Sequence, residues 1–538
     1  MTTSEHYDGP VEPTDYVAQQ NQTSDASLPT ASTDFVDAQR ALLALPDVPF
    51  IMSRDGKHGS VVWDFTRFEF VAEGDEGHPG SVSGPVWRQG QLDGRSGVFQ
   101  VSSGAPGQIY QVRGYDLANL TIVTGDTGLV VIDPLGSYET AQAALKLYRE
   151  TTGDASRPVR AVIYTQSGVD HFGGVRGLFD GDIPKDLKVY APDGFLTDAV
   201  LRQITNGAHN ARLIDYAYGT RLDASPSGLV DSDIGRTVSV GTSTFLAPTD
   251  TFGGLLPAAT KQADWPAWAD ADWHAGLYAI EIDGVKLILQ PAGGHTSPAE
   301  MNLYLPDFRA VYLPGPGLLG TPGKHRADLL SATLTAFGTN AEIGLAAYGW
   351  PVWPNEDEDS HKHVTDWLTA HRDAAFTDNG AVDTGALAPL FIAPGYLETP
   401  TRTVREVWAC LTGDFLGTAQ LAVSAKTTLV THGGAAKAVQ DAQAAYDAET
   451  PDYAKVVNLL DPVISAASIP LAVNSKTEQQ ARTLQSKALV QLGYLALQGR
   501  LRNACLTAAH DVLNPGSIIT RFPQTIADLA AYANPLSS

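Results

Sequence analysis

The run from Ile109 to Leu135, IYQVRGYDLANLTIVTGDTGLVVIDPL, leaves little freedom in how this chain folds. It holds three strand-like apolar runs, punctuated by turns at Gly125-Asp126 and Thr127-Gly128. An amphipathic helical segment follows, TAQAALKLYRE, and then a further β-rich run, RAVIYTQ. That run leads directly into a glycine-bearing loop, YTQSGVDHFGGVRG, from Tyr164 to Gly177. Strands alternating with helices predict an α/β layered core, with chemistry carried on loops at the strand ends. Strand-like runs continue through KVYAP, TVSVGTSTFLAP, LYAIEIDGVKLILQ and MNLYLPDFRAVYLPG. Beyond about residue 360 the segments become rich in alanine and leucine with 3.6-residue apolar spacing, which predicts an all-helical domain.

At 538 residues the chain exceeds one compact core. No apolar run approaches the roughly 20 residues needed to span a bilayer, and the polar first 34 residues lack a signal-peptide pattern. A cytoplasmic protein without a membrane role is expected. The formal net charge of −24 disfavours nucleic-acid partners. Cys410 and Cys505 fit neither a metal spacing nor a disulfide framework and are read as buried thiols.

Several long motifs, in order, carry a family resemblance. VWRQGQLDGRSGVFQV, IYQVRGYDLANLTIVTGDTGLVVIDPL, YTQSGVDHFGGVRG and SPAEMNLYLPDFRA resemble the metallo-β-lactamase-fold alkyl sulfatases. The segment from THGGAAKAVQDAQAAYDAE to QLGYLALQGRLRN is similar to that family's dimerisation domain. The resemblance implies a metallo-β-lactamase-like αββα sandwich followed by an all-helical dimerisation domain, and a homodimer. The expected organisation is a flexible N-terminal arm (1–34), the sandwich (35–365), the helical domain (366–515) and a tail (516–538). The family's sterol-carrier-like domain has no counterpart in that tail.

The resemblance also implies a two-zinc centre, and the sequence departs from it at most positions. A T-H-x-H-x-D-H-F-G-G motif has become Thr165-Gln166-Ser167-Gly168-Val169-Asp170-His171, so only Asp170 and His171 survive of that loop. Thr296 stands where a carboxylate precedes Pro298-Ala299-Glu300, Gly315 where a bridging carboxylate follows a strand, and Tyr348-Gly349 where histidines precede Trp350-Pro351. Glutamine is a poor zinc ligand, threonine a weak one, and glycine offers no donor. No metal and no other cofactor is expected.

The candidate catalytic residues are therefore His171, Asp170, His295 and Tyr348. Histidine titrates near neutrality and can act as acid or base without a metal; His295 adjoins Thr296, and Tyr348 replaces a histidine. Each has a plain alternative, as loop brace, loop histidine or cavity filler. The candidate substrate contacts are Tyr164, Gln166, Thr296 and Trp350, with Trp265 and Trp268 as a lid or a surface anchor. Asp133 and Glu300 are read as structural. Small residues at Gly168, Gly315 and Gly349 predict a mostly apolar pocket at the ancestral metal site. The expected activity is metal-independent acid–base conversion of a hydrophobic small molecule, by cyclisation, isomerisation, elimination or hydrolysis. The alternatives are a non-catalytic homodimer that binds a ligand or protein, and an alkyl sulfatase with a rebuilt metal site.

Overall fold

A computed structural model of the chain describes residues 11–25, 28, 33–54, 61–71, 77–103, 107–201, 211–253, 276–292, 299–315, 323–353, 360–377, 422–467 and 473–514. The alternation read from Ile109 onward produces two stacked sheets. The first runs in the order β1 (Leu42–Ala44), β4 (Gly97–Ser103), β5 (Gln108–Arg113), β6 (Leu120–Thr124), β7 (Leu129–Ile132), β8 (Val159–Ile163), β9 (Lys188–Pro192), β10 (Asp250–Phe252). Pairing is antiparallel up to β7 and parallel from β7 to β10. The second holds β11 (Tyr278–Ile282), β12 (Val285–Pro291), β13 (Met301–Leu305), β14 (Ala310–Leu313) and β15 (Ile343–Ala346), with β14 and β15 parallel. A small hairpin pairs β2 (Phe50–Met52) with β3 (Val61–Asp64).

Successive side chains along a strand face opposite sides, and burial follows that rule. Val130 and Ile132 of β7 point inward with Leu303, Leu305 and Tyr312 of the second sheet. Leu129 and Val131 point outward onto Ala141, Ala144 and Tyr148 of the amphipathic helix Tyr138–Thr152. That helix is capped by Ser137, which accepts from the Thr140 amide, and closes at left-handed Gly153. On the far side, Ile288, Val311 and Leu313 pack against Leu330 of Gly323–Phe337 and Leu368 of Ser360–Thr377. The layers are thus helix, sheet, sheet, helix, as expected.

The C-terminal part is helical, with Ala422–His432, Ala435–Tyr446, Tyr453–Ala466, Ser475–Leu495 and Gly499–Leu513 packed in sequence. It is tied to the sandwich by buried polar groups. Arg221 pairs with Asp511 at 2.8 Å, and Arg502 donates to the carbonyls of Ser81, Pro226 and Gly228.

Two expected boundaries move. The helix Ser360–Thr377 spans the expected division at 365/366 and packs on the helix Gly323–Phe337 and on β15, so its apolar face belongs to the sandwich. Within the expected flexible arm, Asp15–Ser24 forms a helix capped by Thr14. It docks on the helical domain: Asn21 donates to the Tyr494 carbonyl, Tyr494 to the Val11 carbonyl, and Gln491 to the Glu12 carbonyl. Its polar composition hid this, because the docking rests on backbone and amide hydrogen bonds more than on an apolar stripe.

The loop after β8 must lie flat on the loop after β7, and its glycines permit this. A Cβ on Gly174 would sit 2.2 Å from the Pro134 carbonyl oxygen. Gly174→Ala is expected to lower stability by about 3 kcal/mol, at the upper end for overpacking, read from the denaturant midpoint. An unchanged midpoint would contradict the packing described.

Candidate active site

The C-terminal ends of β7, β8, β14 and β15 meet at one rim of the sandwich, because each belongs to a parallel pair. β7 delivers Asp133 in a left-handed backbone conformation (φ 53°) that short polar Asp tolerates. β8 delivers Thr165, Gln166 and the 3-10 turn Val169–His171. β14 delivers Gly315 and β15 delivers Tyr348.

These side chains form one buried chain of hydrogen bonds. The Asp133 carboxylate accepts from the Thr165 amide (2.8 Å), the Thr165 hydroxyl (2.5 Å) and the Tyr312 hydroxyl (2.9 Å). It also lies 3.0 Å from His171 Nδ1. His171 Nε2 lies 2.8 Å from the Tyr348 hydroxyl, which donates to Asp170 Oδ2 at 2.5 Å. Asp133 and His171 are fully buried, Asp170 and Tyr348 nearly so. Burial alone would lower the His171 pKa, but Asp133 and Asp170 outweigh it and hold the imidazole above its ordinary value. The proton order that satisfies every partner follows. An imidazolium donates from Nδ1 to Asp133 and from Nε2 to the Tyr348 oxygen, while Tyr348 donates to Asp170. Burial and the Asp170 charge raise the Tyr348 phenol, which keeps it protonated.

The family's two-zinc centre does not fit these residues. Among the described residues, no three His, Cys, Asp or Glu side chains converge as metal ligands. The Tyr348 hydroxyl engages both surviving donors, Asp170 Oδ2 and His171 Nε2. A Cβ on Gly315 would lie 2.1 Å from the Tyr348 ring, so the ring fills the space a carboxylate at 315 would need.

The expected apolar pocket is corrected by this geometry. Tyr348 is a polar bridge across the ancestral site, and it closes the Gly315 side. Gly168 is equally enclosed: a Cβ there would meet Asp170 Oδ1 at 2.8 Å, Gln166 Oε1 at 3.2 Å and His171 Cδ2 at 3.3 Å. Both polar atoms of the buried Gln166 amide lack a hydrogen-bond partner among the described residues, as does the hydroxyl of Tyr218. Tyr218 lies close enough for the Asp170 charge to help raise its phenol, though burial is the larger cause.

The structure places Asp170, His171, Tyr348 and Gln166 near one another. Tyr164 is not among them: its ring stacks on Phe195 within the outer core, and its hydroxyl donates to the Leu246 carbonyl. The strand alternation that aims Thr165 at the rim turns Tyr164 away. Trp350 lines a neighbouring cleft instead of the quartet. His295, Thr296, Trp265 and Trp268 lie outside the described residues. The residues missed as parts of the site are Asp133, read only as a loop brace, and Tyr312, Thr165 and Tyr218. Asp133 had a signal, the end of an apolar strand run at IDP; the tyrosines had none.

Residues 113–297 match the metallo-beta-lactamase superfamily, and residues 387–514 match alkyl sulfatase dimerisation. A linear primary-alkylsulfatase of Pseudomonas sp. is 32% identical over 515 residues, covering 90% of this chain and 70% of that protein. The chain belongs to the alkyl sulfatase family. Another relative, the alkyl/aryl-sulfatase BDS1 of Saccharomyces cerevisiae, is 29% identical over 89% of this chain and 73% of its own length. The solved structure of the stereoselective inverting sec-alkylsulfatase Pisa1 from Pseudomonas sp. superposes with a TM-score of 0.74. It is 28% identical and covers 94% of this chain and 78% of that one. Among the described residues, no helix of this alkyl sulfatase family member is long and apolar enough to cross a membrane.

Removing the bridging hydroxyl leaves Asp170 and His171 buried without their shared partner. Tyr348→Phe is therefore expected to cost about 3 kcal/mol, in the range for breaking a buried charged network. A loss below about 0.5 kcal/mol would mean the hydroxyl is not a strong link. The raised His171 pKa sets a sign for pH. Its stabilising contribution is complete below the ordinary histidine value and declines as pH rises through the raised one. The stability gap between the native chain and His171→Gln should narrow above neutrality in denaturant titrations run across pH. A gap that widens with pH would contradict an imidazolium at this position.

Proposed function

We propose that this chain is a metal-independent acid–base enzyme for a hydrophobic small molecule, built on the alkyl sulfatase scaffold. The observation that carries this reading is the Tyr348 hydroxyl, which occupies both donors retained from the ancestral loop. A polar atom of the substrate would be received between Asp170 Oδ1 and the Gln166 amide. Asp170 would act as base there, Gln166 would orient the substrate through its unpartnered amide, and the His171–Tyr348 pair would return a proton. Asp133 would hold His171 in the required tautomer, as a buried carboxylate does for a catalytic histidine. The family relatives support enzymatic ancestry; the altered donor set supports different chemistry.

One observation favours a second reading. Tyr348 is only 5% exposed, so the quartet also suits a brace inside a non-catalytic, ligand-binding homodimer. The two readings separate by incubating the purified protein with the apolar fraction of a cell extract and following it by mass spectrometry. The enzyme reading expects a compound consumed by the native chain and spared by His171→Ala and Tyr348→Phe. A compound that is bound and returned unchanged supports the second reading.

Metal independence has its own test. The purified protein is expected to carry no stoichiometric zinc, to keep its activity in chelator, and to release no sulfate from dodecyl sulfate. Two zinc ions per chain with zinc-dependent sulfate release would restore the sulfatase reading. The matched dimerisation segment supports a homodimer, so light scattering should return twice the mass of one chain. One chain's mass at micromolar concentration would contradict it.

A further inference from the structure

Beside the quartet lies a cleft of about 410 Å³, counting its open mouth, with Trp63, Ile234 and Trp350 among its apolar walls. Its charged lining is Arg95, Arg113, Arg236, Asp93 and Asp116. Three guanidinium groups line the cleft in a chain whose net charge is −24, and the charges of Asp93 and of Asp231 both act on Arg236.

Asp116 is held by backbone and hydroxyl donors, while Asp93 also faces Arg236. Asp116 accepts from the amides of Leu117, Gly136 and Ser239 and from the hydroxyls of Ser239 and Thr140. Asp93 accepts from Gln89 at 3.0 Å. Burial raises its carboxyl to about 6. Arg113 is only 3% exposed, yet its Nε and Nη2 have no hydrogen-bond partner among the described residues. Its Cζ lies 3.3 Å from the Phe99 ring centroid, and burial pushes its guanidinium down to about 9. Arg236 likewise has an unpartnered Nε, with its Cζ 4.9 Å from the Phe68 ring centroid. A buried guanidinium without a hydrogen-bonded anion is costly. Aromatic faces fix its plane but leave its N–H groups unsatisfied. A planar fork held in this way is suited to an oxyanion.

We propose that the cleft is an oxyanion subsite in which Arg113 and Arg236 bind a sulfate, phosphate or carboxylate group. The apolar walls suit the first carbons of a chain attached to that group. This site uses none of the quartet's side chains, and it stands or falls independently of the acid–base reading.

The test titrates the native protein with sodium sulfate, sodium phosphate and hexanesulfonate, which has no ester bond to cleave. Ionic strength is held constant with chloride, and binding is read by calorimetry and by the fluorescence of Trp63 and Trp350. At least one anion is expected to bind at millimolar concentration or tighter. Arg113→Gln and Arg236→Gln are each expected to weaken it at least ten-fold while circular dichroism stays native. Tighter binding of hexanesulfonate than sulfate would assign an amphiphile's head group, and equal binding a free oxyanion. If Arg113→Gln does not fold, Arg236→Gln decides alone. Binding no better than chloride, or binding unchanged in every folded variant, would overturn the proposal.

Discussion

Two carboxylates, Asp133 and Asp170, are buried at one rim of the sandwich, and the arrangement there follows from satisfying them. Sealed from water, a carboxylate needs an opposing charge and several donors. Here the opposing charge is the imidazolium of His171, with donors from Thr165, Tyr312 and Tyr348.

Positions 315 and 348 are linked sterically. A tyrosine at 348 that reaches Asp170 must pass over position 315, and only a residue without a side chain leaves it room. Gly315 and Tyr348 are therefore one feature in physical terms. Gln166 and Tyr218 carry buried polar side-chain atoms without a hydrogen-bond partner among the described residues.

The sequence was most informative where period and turn chemistry are local. The alternating runs from Ile109 onward, the amphipathic helix after Asp133 and the glycines after His171 predicted the layers and the loop that carries Asp170. The departures from the resembled metal-binding motif were read position by position. What the sequence hid depends on contacts between distant segments. Nothing local distinguishes Tyr348 as a bridge from Tyr348 as a pocket wall, since its partners lie 177 and 178 residues away. Tyr164 looked equivalent to Gln166, but strand pleating sends it into the outer core beside Phe195. The docked helix Asp15–Ser24 was missed because its anchors, Asn21 and the Val11 and Glu12 carbonyls, pair with residues more than 470 positions on.

We propose that the Tyr348 hydroxyl, bonded to both Asp170 and His171, stands where the family would place a metal. A crystal structure from zinc-soaked crystals, with diffraction recorded at the zinc absorption edge, tests it most directly. The bridge predicts Tyr348 Oη within hydrogen-bond distance of both Asp170 and His171, with no anomalous peak between them. An anomalous peak ligated by Asp170 and His171, with Tyr348 swung away, would contradict it.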